Sequence, residues 1–124
     1  MSRSILDEAY IHPAIRDTIA NSHADIVQEV RDAIAKNDIV VVGMAQNPFP
    51  KKARKLLRQQ QLSYKYLEYG SYLGEWRRRN ALKMWTGWPS FPMVFVKGVL
   101  VGGANDLQKL IESGELARLL DAKV

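Results

Sequence analysis

Residues Ile39-Val40-Val41-Val42 form an unbroken run of β-branched side chains. Such side chains are stiff at χ1 and suit a pleated strand better than a helix. A strand that is apolar at every position has no face to offer to water, so it must be covered on both sides. That requirement argues against an open sheet with one wet face. It calls for a layered α/β fold with this strand at its centre. The flanking sequence supplies the covering layers. Before the run, Ile26, Val27, Val30, Ala33 and Ile34 recur at helical spacing. Ser22 and Asp25 read as a variant capping box for that helix, and Asn37-Asp38 ends it. After the run, Gly43 to Pro50 reads as a loop, and a helical pattern resumes at Lys51. There Ala53, Leu56 and Leu57 share one face, and Lys51, Lys52, Arg54, Lys55 and Arg58 take the other.

The rest of the chain completes the sheet. Tyr64 to Tyr69 alternates as a strand does. The alternation puts Tyr64 and Tyr66 on one face, where core packing is expected, while Tyr66, Tyr69 and Tyr72 are an alternative aromatic surface patch. Glu75 to Trp85 reads as a helix closed by Gly87 and Pro89. Met93 to Val96 and Val99 to Val101 flank Lys97-Gly98, the signature of a short hairpin. A last helix follows, with Asn105 as its expected N-cap and Leu107, Leu110 and Ile111 on its inner face; Gly114 interrupts before Leu116, Leu119 and Leu120. A strand–helix–strand start implies a parallel pair with a right-handed crossover, and the hairpin adds antiparallel strands. The expected architecture is a four-stranded mixed sheet with helices on both faces. We expect one domain at 25–124 and an N-terminal helical extension at 1–24. In that extension Pro13 to Ala20 reads as a short helix placed to cover an edge or face of the sheet.

Composition restricts the chemistry. The chain has no cysteine, so it holds no disulfide, thiolate nucleophile or cysteine-bound metal of its own. His12 and His23 are the only histidines and carry no metal-site pattern; surface roles are expected for both. No apolar run suits a membrane span, and Met1 to Asp7 lacks the apolar segment of a signal peptide, so a cytoplasmic location is expected. The net charge of +5 permits acidic partners without specifying one. Arg77-Arg78-Arg79, beside Trp76 and Lys83, reads first as a solvated helix face and second as a small-anion contact by Arg79. Nucleic acid is disfavoured because no nucleic-acid motif accompanies this patch. Met44, Met84 and Met93 read as packing residues, and at least one of Trp85 and Trp88 is expected against the sheet edge, a surface recognition role being the second reading.

Several stretches carry a resemblance. The Val-rich strand leads through a loop into the basic helix Lys51-Lys52-Ala53-Arg54-Lys55-Leu56-Leu57. Arg79 precedes Leu82-Lys83, and Trp88-Pro89-Ser90-Phe91-Pro92 leads into the hairpin. Gly102-Gly103-Ala104-Asn105-Asp106-Leu107 opens the last helix, and Ser113-Gly114-Glu115-Leu116 follows. From Asp25 to Leu120 the chain resembles glutaredoxins, which have the thioredoxin fold. The Trp-Pro-Ser-Phe-Pro and Gly-Gly stretches are most similar to monothiol members, while the short loop before the basic helix is closer to the dithiol class.

The resemblance also locates a site and its defects. Asn47 stands where the family's nucleophilic cysteine is, and Pro50 stands at the position of the second cysteine or the monothiol serine. Pro48 and Phe49 lie between them. Asparagine and proline can neither attack a disulfide nor hold an iron–sulfur cluster as thiolates do. Two helix starts are open: Asn47 as cap, with Pro48 and Pro50 each removing an N–H donor, or Pro50 as a first-turn residue, favoured by the aversion of Phe49 to α geometry before proline. The family's glutathione contacts map onto Met44 (where a lysine is usual), Arg79, Phe91, Pro92, Gly103, Ala104 and Asn105 (where an aspartate is usual). The resemblance implies a cis bond before Pro92.

The expected function is a glutaredoxin-related, non-catalytic binding module that uses the glutathione or peptide groove, with glutathione bound weakly and no other cofactor. Its partner would be glutathione, a peptide or a protein. The alternative is a glutathione-dependent thiol-disulfide oxidoreductase whose active-site cysteine is absent from this chain.

Overall fold

The computed structural model describes residues 3–71 and 74–121. Tyr72, one member of the alternative aromatic patch, lies outside the described residues, as do Met1 and Ser2. After a 3₁₀ turn at Glu8–Tyr10, the elements are α1 (Pro13–Asn21), α2 (Ala24–Lys36), β1 (Ile39–Gly43), α3 (Pro48–Gln59) and β2 (Lys65–Glu68). Then come α4 (Trp76–Thr86), β3 (Met93–Val96), β4 (Val99–Gly102), α5 (Ala104–Ser113) and α6 (Glu115–Asp121).

The strands form one sheet in the order β2-β1-β3-β4. β1 runs parallel to β2 and antiparallel to β3, and β3 is antiparallel to β4. The β-branched run is central and buried throughout. Its alternation divides the core in two. Val40 and Val42 pack with Ile26, Val30, Leu82, Met93 and Phe95, under α2 and α4. Ile39 and Val41 pack with Ala53, Leu57, Val94, Val96 and Leu107, under α3 and α5. Full burial of each such side chain contributes about 1.5–3 kcal/mol, so this strand anchors both layers. The thioredoxin-like architecture expected from sequence is therefore present.

Local signals fared unevenly. Lys97 and Gly98 both have positive φ, 51° and 81°, the geometry of a tight hairpin turn. Tyr64 and Tyr66 pack against the α3 side, and the Trp85 ring stacks on Phe95 with centroids 6.3 Å apart. Ser22 does not start α2: it closes α1, and left-handed His23 stands at the N-cap without a side-chain hydrogen bond. The two helices are too close in sequence for Ser22 to serve both ends. Asn105 does not cap α5 either. Gly103 holds that place, its N–H donating to Asp106 Oδ2 at 3.0 Å, and Asn105 is the second residue of the helix. Met84 is 69% exposed rather than packed, while Met44 and Met93 are buried. In the extension α1 buries no residue, and Ile15 and Ile19 stay exposed. His12 has a surface role, its Nδ1 accepting from Ala14 N–H at 3.0 Å and capping α1.

Candidate functional site

The start of α3 is built by residues 43–50. Gly43 ends β1 with no room for a side chain: a Cβ there would lie 2.8 Å from Pro50 Cβ and 3.0 Å from a Tyr66 ring carbon. The missing Cβ lets Pro50, which is buried, seat the first turn of α3 directly on the sheet. Asn47 is the N-cap, extended in backbone, and its Oδ1 accepts from Phe49 N–H at 2.9 Å. Of the two helix starts left open by the sequence, this is the one capped by Asn47. Phe49 is helical despite preceding a proline.

This arrangement determines what the helix start can do. A helix leaves its first N–H groups without intrahelical acceptors, and these usually make an anion site. Here Pro48 and Pro50 have no N–H, and that of Phe49 is taken by Asn47. The helix dipole remains, but the donors that would face a ligand are removed or spent.

Beside this closed end lies a groove of about 300 Å³, lined by Phe49, Trp88, Phe91, Pro92, Gly103, Ala104, Asn105 and Asp106, among others. The Phe91–Pro92 peptide is cis. Trp88 ring atoms approach Gly103 closely, at 3.9 Å from the place a Cβ would occupy. Asn105 Oδ1 accepts from Lys52 Nζ at 2.8 Å, tying α3 to α5 at the groove's edge. Asp106 is engaged with Gly103 N–H. The Lys83 ammonium stands 5.8 Å from the Phe91 ring centroid, close enough for a cation–π contact.

The structure thus brings together Phe91, Pro92, Gly103, Ala104 and Asn105, along with Phe49. It does not bring Arg79 to them. Arg79 is buried, and its Nη1 donates to Tyr69 O at 2.9 Å and to Gly74 O, so its charge braces the connection from β2 to α4. The reading of Arg77-Arg78-Arg79 as a wholly solvated face fails for the same reason. Arg77 is exposed, but Arg78 bridges Asp25 and Glu75. Met44, Asn47 and Pro48 line a separate concavity with Lys51, Arg54 and Glu68.

A family model described as Glutaredoxin matches residues 39–101. A "Glutaredoxin-like protein" of Dictyostelium discoideum is 46% identical over 109 residues, covering 88% of this chain and 89% of that protein. This chain is a member of the glutaredoxin family. "Monothiol glutaredoxin-4" of Schizosaccharomyces pombe is 36% identical over 72 residues, covering 58% of this chain and 28% of that longer protein. Among solved structures, oxidized glutaredoxin 2 from Chlamydomonas reinhardtii superposes with a TM-score of 0.69 at 29% identity, covering 80% of this chain and 94% of that one.

Two residues of this glutaredoxin's groove escaped the sequence reading. The sequence pattern places Lys52 on the basic face of its helix; its bond to Asn105 spans 53 residues of sequence, and no periodicity reports such a contact. Trp88 lines the groove and has a buried Nε1 with no acceptor among the described residues. Its place in Trp-Pro-Ser-Phe-Pro, next to the cis peptide, was the available signal.

Proposed function

We propose that this glutaredoxin family member is a non-catalytic binding module, whose groove takes glutathione or an extended peptide segment without thiol-disulfide exchange. The observation that carries the reading is the start of α3. The family's nucleophile position holds Asn47, its side chain is committed to Phe49 N–H, and no cysteine exists elsewhere in the chain. The groove next to it is lined by Phe49, Trp88 and Phe91 together with Gly103 and Asn105 at the start of α5, which supports a peptide-like ligand.

The expected affinity is low. Met44 supplies no charge, Arg79 is held by carbonyls, and Asn105 stands at the family's aspartate position. Each charge-assisted hydrogen bond contributes about 1.5–3 kcal/mol, so three missing contacts weaken binding by roughly three to six powers of ten. Glutathione is small and polar, with little apolar area to compensate. A dissociation constant in the millimolar range follows, equivalent to about 4 kcal/mol. The test is a titration followed by amide chemical shifts. Saturable shifts at Phe91, Gly103 and Ala104 are expected with glutathione. If neither glutathione nor short extended peptides move these amides, the groove is not a binding site and the reading is wrong.

A further inference from the structure

We infer that two copies of this chain associate reciprocally, with residues 5–10 of each copy seated in a cleft between α2, α4 and the β3–β4 hairpin of the other. The cleft has a volume of about 370 Å³ and is lined by Arg31, Ile34, Trp85, Phe95, Gly98 and Leu100, among others. It shares no lining residue with the Phe91–Gly103 groove, so the inference stands apart from the groove reading.

The first argument is the donated segment. Ile5, Leu6, Tyr10, Ile15 and Ile19 are five of the nine large apolar side chains left exposed among the described residues, although they come from a short part of the chain. Single exposed apolar residues are ordinary, but a cluster of them marks a contact surface. Ile5, Leu6 and Tyr10 are displayed by a braced turn. Asp7 Oδ1 caps it by accepting from Ala9 N–H at 2.8 Å, and Arg16 ties it to α1 by donating to Glu8 O and Ile11 O. The second argument is the cleft. Ile34, Leu100 and the stacked Trp85 and Phe95 rings give it an apolar wall. The third argument is charge, which selects the occupant. Residues 3–23 carry Arg3 and Arg16 against Asp7, Glu8 and Asp17, a net charge of −1, whereas the rest of the chain carries +6. Two copies meeting through their basic parts would repel, and segment against domain attracts. The same negative charge disfavours an anionic lipid surface as the cover for these apolar side chains. The match is also local. The Arg31 guanidinium lies 5.5 Å from the Trp85 ring centroid, and among the described residues it has neither an ion pair nor a hydrogen bond. The carboxylates beside it in sequence are engaged, Asp32 with Gln28 and Asp38 with Lys97. Glu8 makes its hydrogen bonds through its backbone carbonyl, and its carboxylate has no partner among the described residues. Leu6 and Tyr10 against the apolar wall, with Glu8 on Arg31, would satisfy both surfaces. A two-fold arrangement makes this contact twice and closes the assembly.

The test is sedimentation equilibrium of the whole chain at low salt, from micromolar to millimolar protein. A reversible dimer is expected. Glu8→Arg and Arg31→Glu should each weaken it about a hundredfold, roughly tenfold at each of the two equivalent contacts. Both residues are exposed, so neither change disturbs the core. Mixing the two variants should restore association to the strength of the unmodified chain. In that heterodimer one contact is unaltered and the other has both charges reversed. Leu6→Asp should also dissociate the dimer. In the unmodified chain the Trp85 indole N–H resonance should shift with concentration along the same isotherm, while the amides of Gly103 and Ala104 stay in place. A chain that remains monomeric to millimolar concentration would overturn the inference. So would a dimer that survives all three variants. Single variants whose mixture fails to associate would overturn it too, because Glu8 and Arg31 would then not face each other.

Discussion

A single substitution, Asn47→Cys, would place a thiol at the family's nucleophile position and make it the only thiol in the chain. Its pKa then reports directly on what the start of α3 offers an anion. A free cysteine has a pKa of about 8.5. Removing the Asn47 side chain releases Phe49 N–H, which a thiolate at position 47 would accept. A hydrogen bond to a charged group contributes about 1.5–3 kcal/mol, or roughly 1–2 pKa units. Position 47 is half-buried, so solvent shields part of this, and the lower end applies. The expected value is about 7.5. Pro48 and Pro50 contribute no further donor. Adding Pro50→Ala restores one N–H in the first turn and should lower the thiol by about one more unit. Ultraviolet absorbance of the thiolate against pH measures both variants. A single variant titrating below about 6 would refute the reasoning, because one donor cannot supply that much. A double variant titrating no lower than the single would refute it too, since Pro50 would then withhold nothing.

Three other outcomes are expected. The unmodified chain should not accelerate glutathione-dependent reduction of a small mixed disulfide above the uncatalysed rate, as a coupled assay on cysteine-free protein will show. Asn47→Ala removes the cap of α3 and should cost about 1 kcal/mol, lowering Tm by about 3–5 °C in a calorimetric scan. Burial, reinforced by the hydrogen bond Tyr66 donates to Glu68, pushes the Tyr66 phenol up to about 12 from 10.0. The folded pKa lies above the unfolded one, so this contribution is complete below pH 10 and is lost as pH rises toward 12. Urea midpoints across that window should fall less steeply in Tyr66→Phe.

The layers were legible because burial imposes a period. β1 had to be central, since Ile39 to Val42 left no wetted face, and its alternation into two cores follows from the same residues. The hairpin was legible because Lys97-Gly98 is a local turn signal. Caps were less legible, since capping is decided by which neighbour competes. Ser22 lost to the end of α1, and Asn105 lost to Gly103 once Asp106 reached back to the Gly103 N–H. The site divided along the same line. Residues 91–92 lead into β3 and residues 103–105 open α5, and they meet in one groove. Arg79 was assigned a ligand, but nearer acceptors at Tyr69 and Gly74 hold it instead. A short-range carbonyl pair is invisible to a pattern that records only residue type and order.

The start of α3 is more than a family site with its cysteines missing. Replacing thiols alone would leave the first-turn N–H groups facing solvent or a ligand. Here each replacement is a residue that helix starts favour. Asparagine is among the best N-caps, and Pro48 at the first and Pro50 at the third helical position remove only N–H groups that have no intrahelical acceptor. Pro50 also fills the space that Gly43 leaves against the sheet. The three residues therefore exchange a reactive, donor-rich helix end for a self-satisfied one. Recognition at this face must then rely on side-chain charge and shape rather than on free backbone N–H groups. The two concavities on either side of Asn47–Phe49 have that character. One joins Phe49, Trp88 and Phe91 to the polar Ser90, Asn105 and Asp106, with the unpartnered Trp88 indole N–H, and the other is lined by Lys51, Arg54 and Glu68.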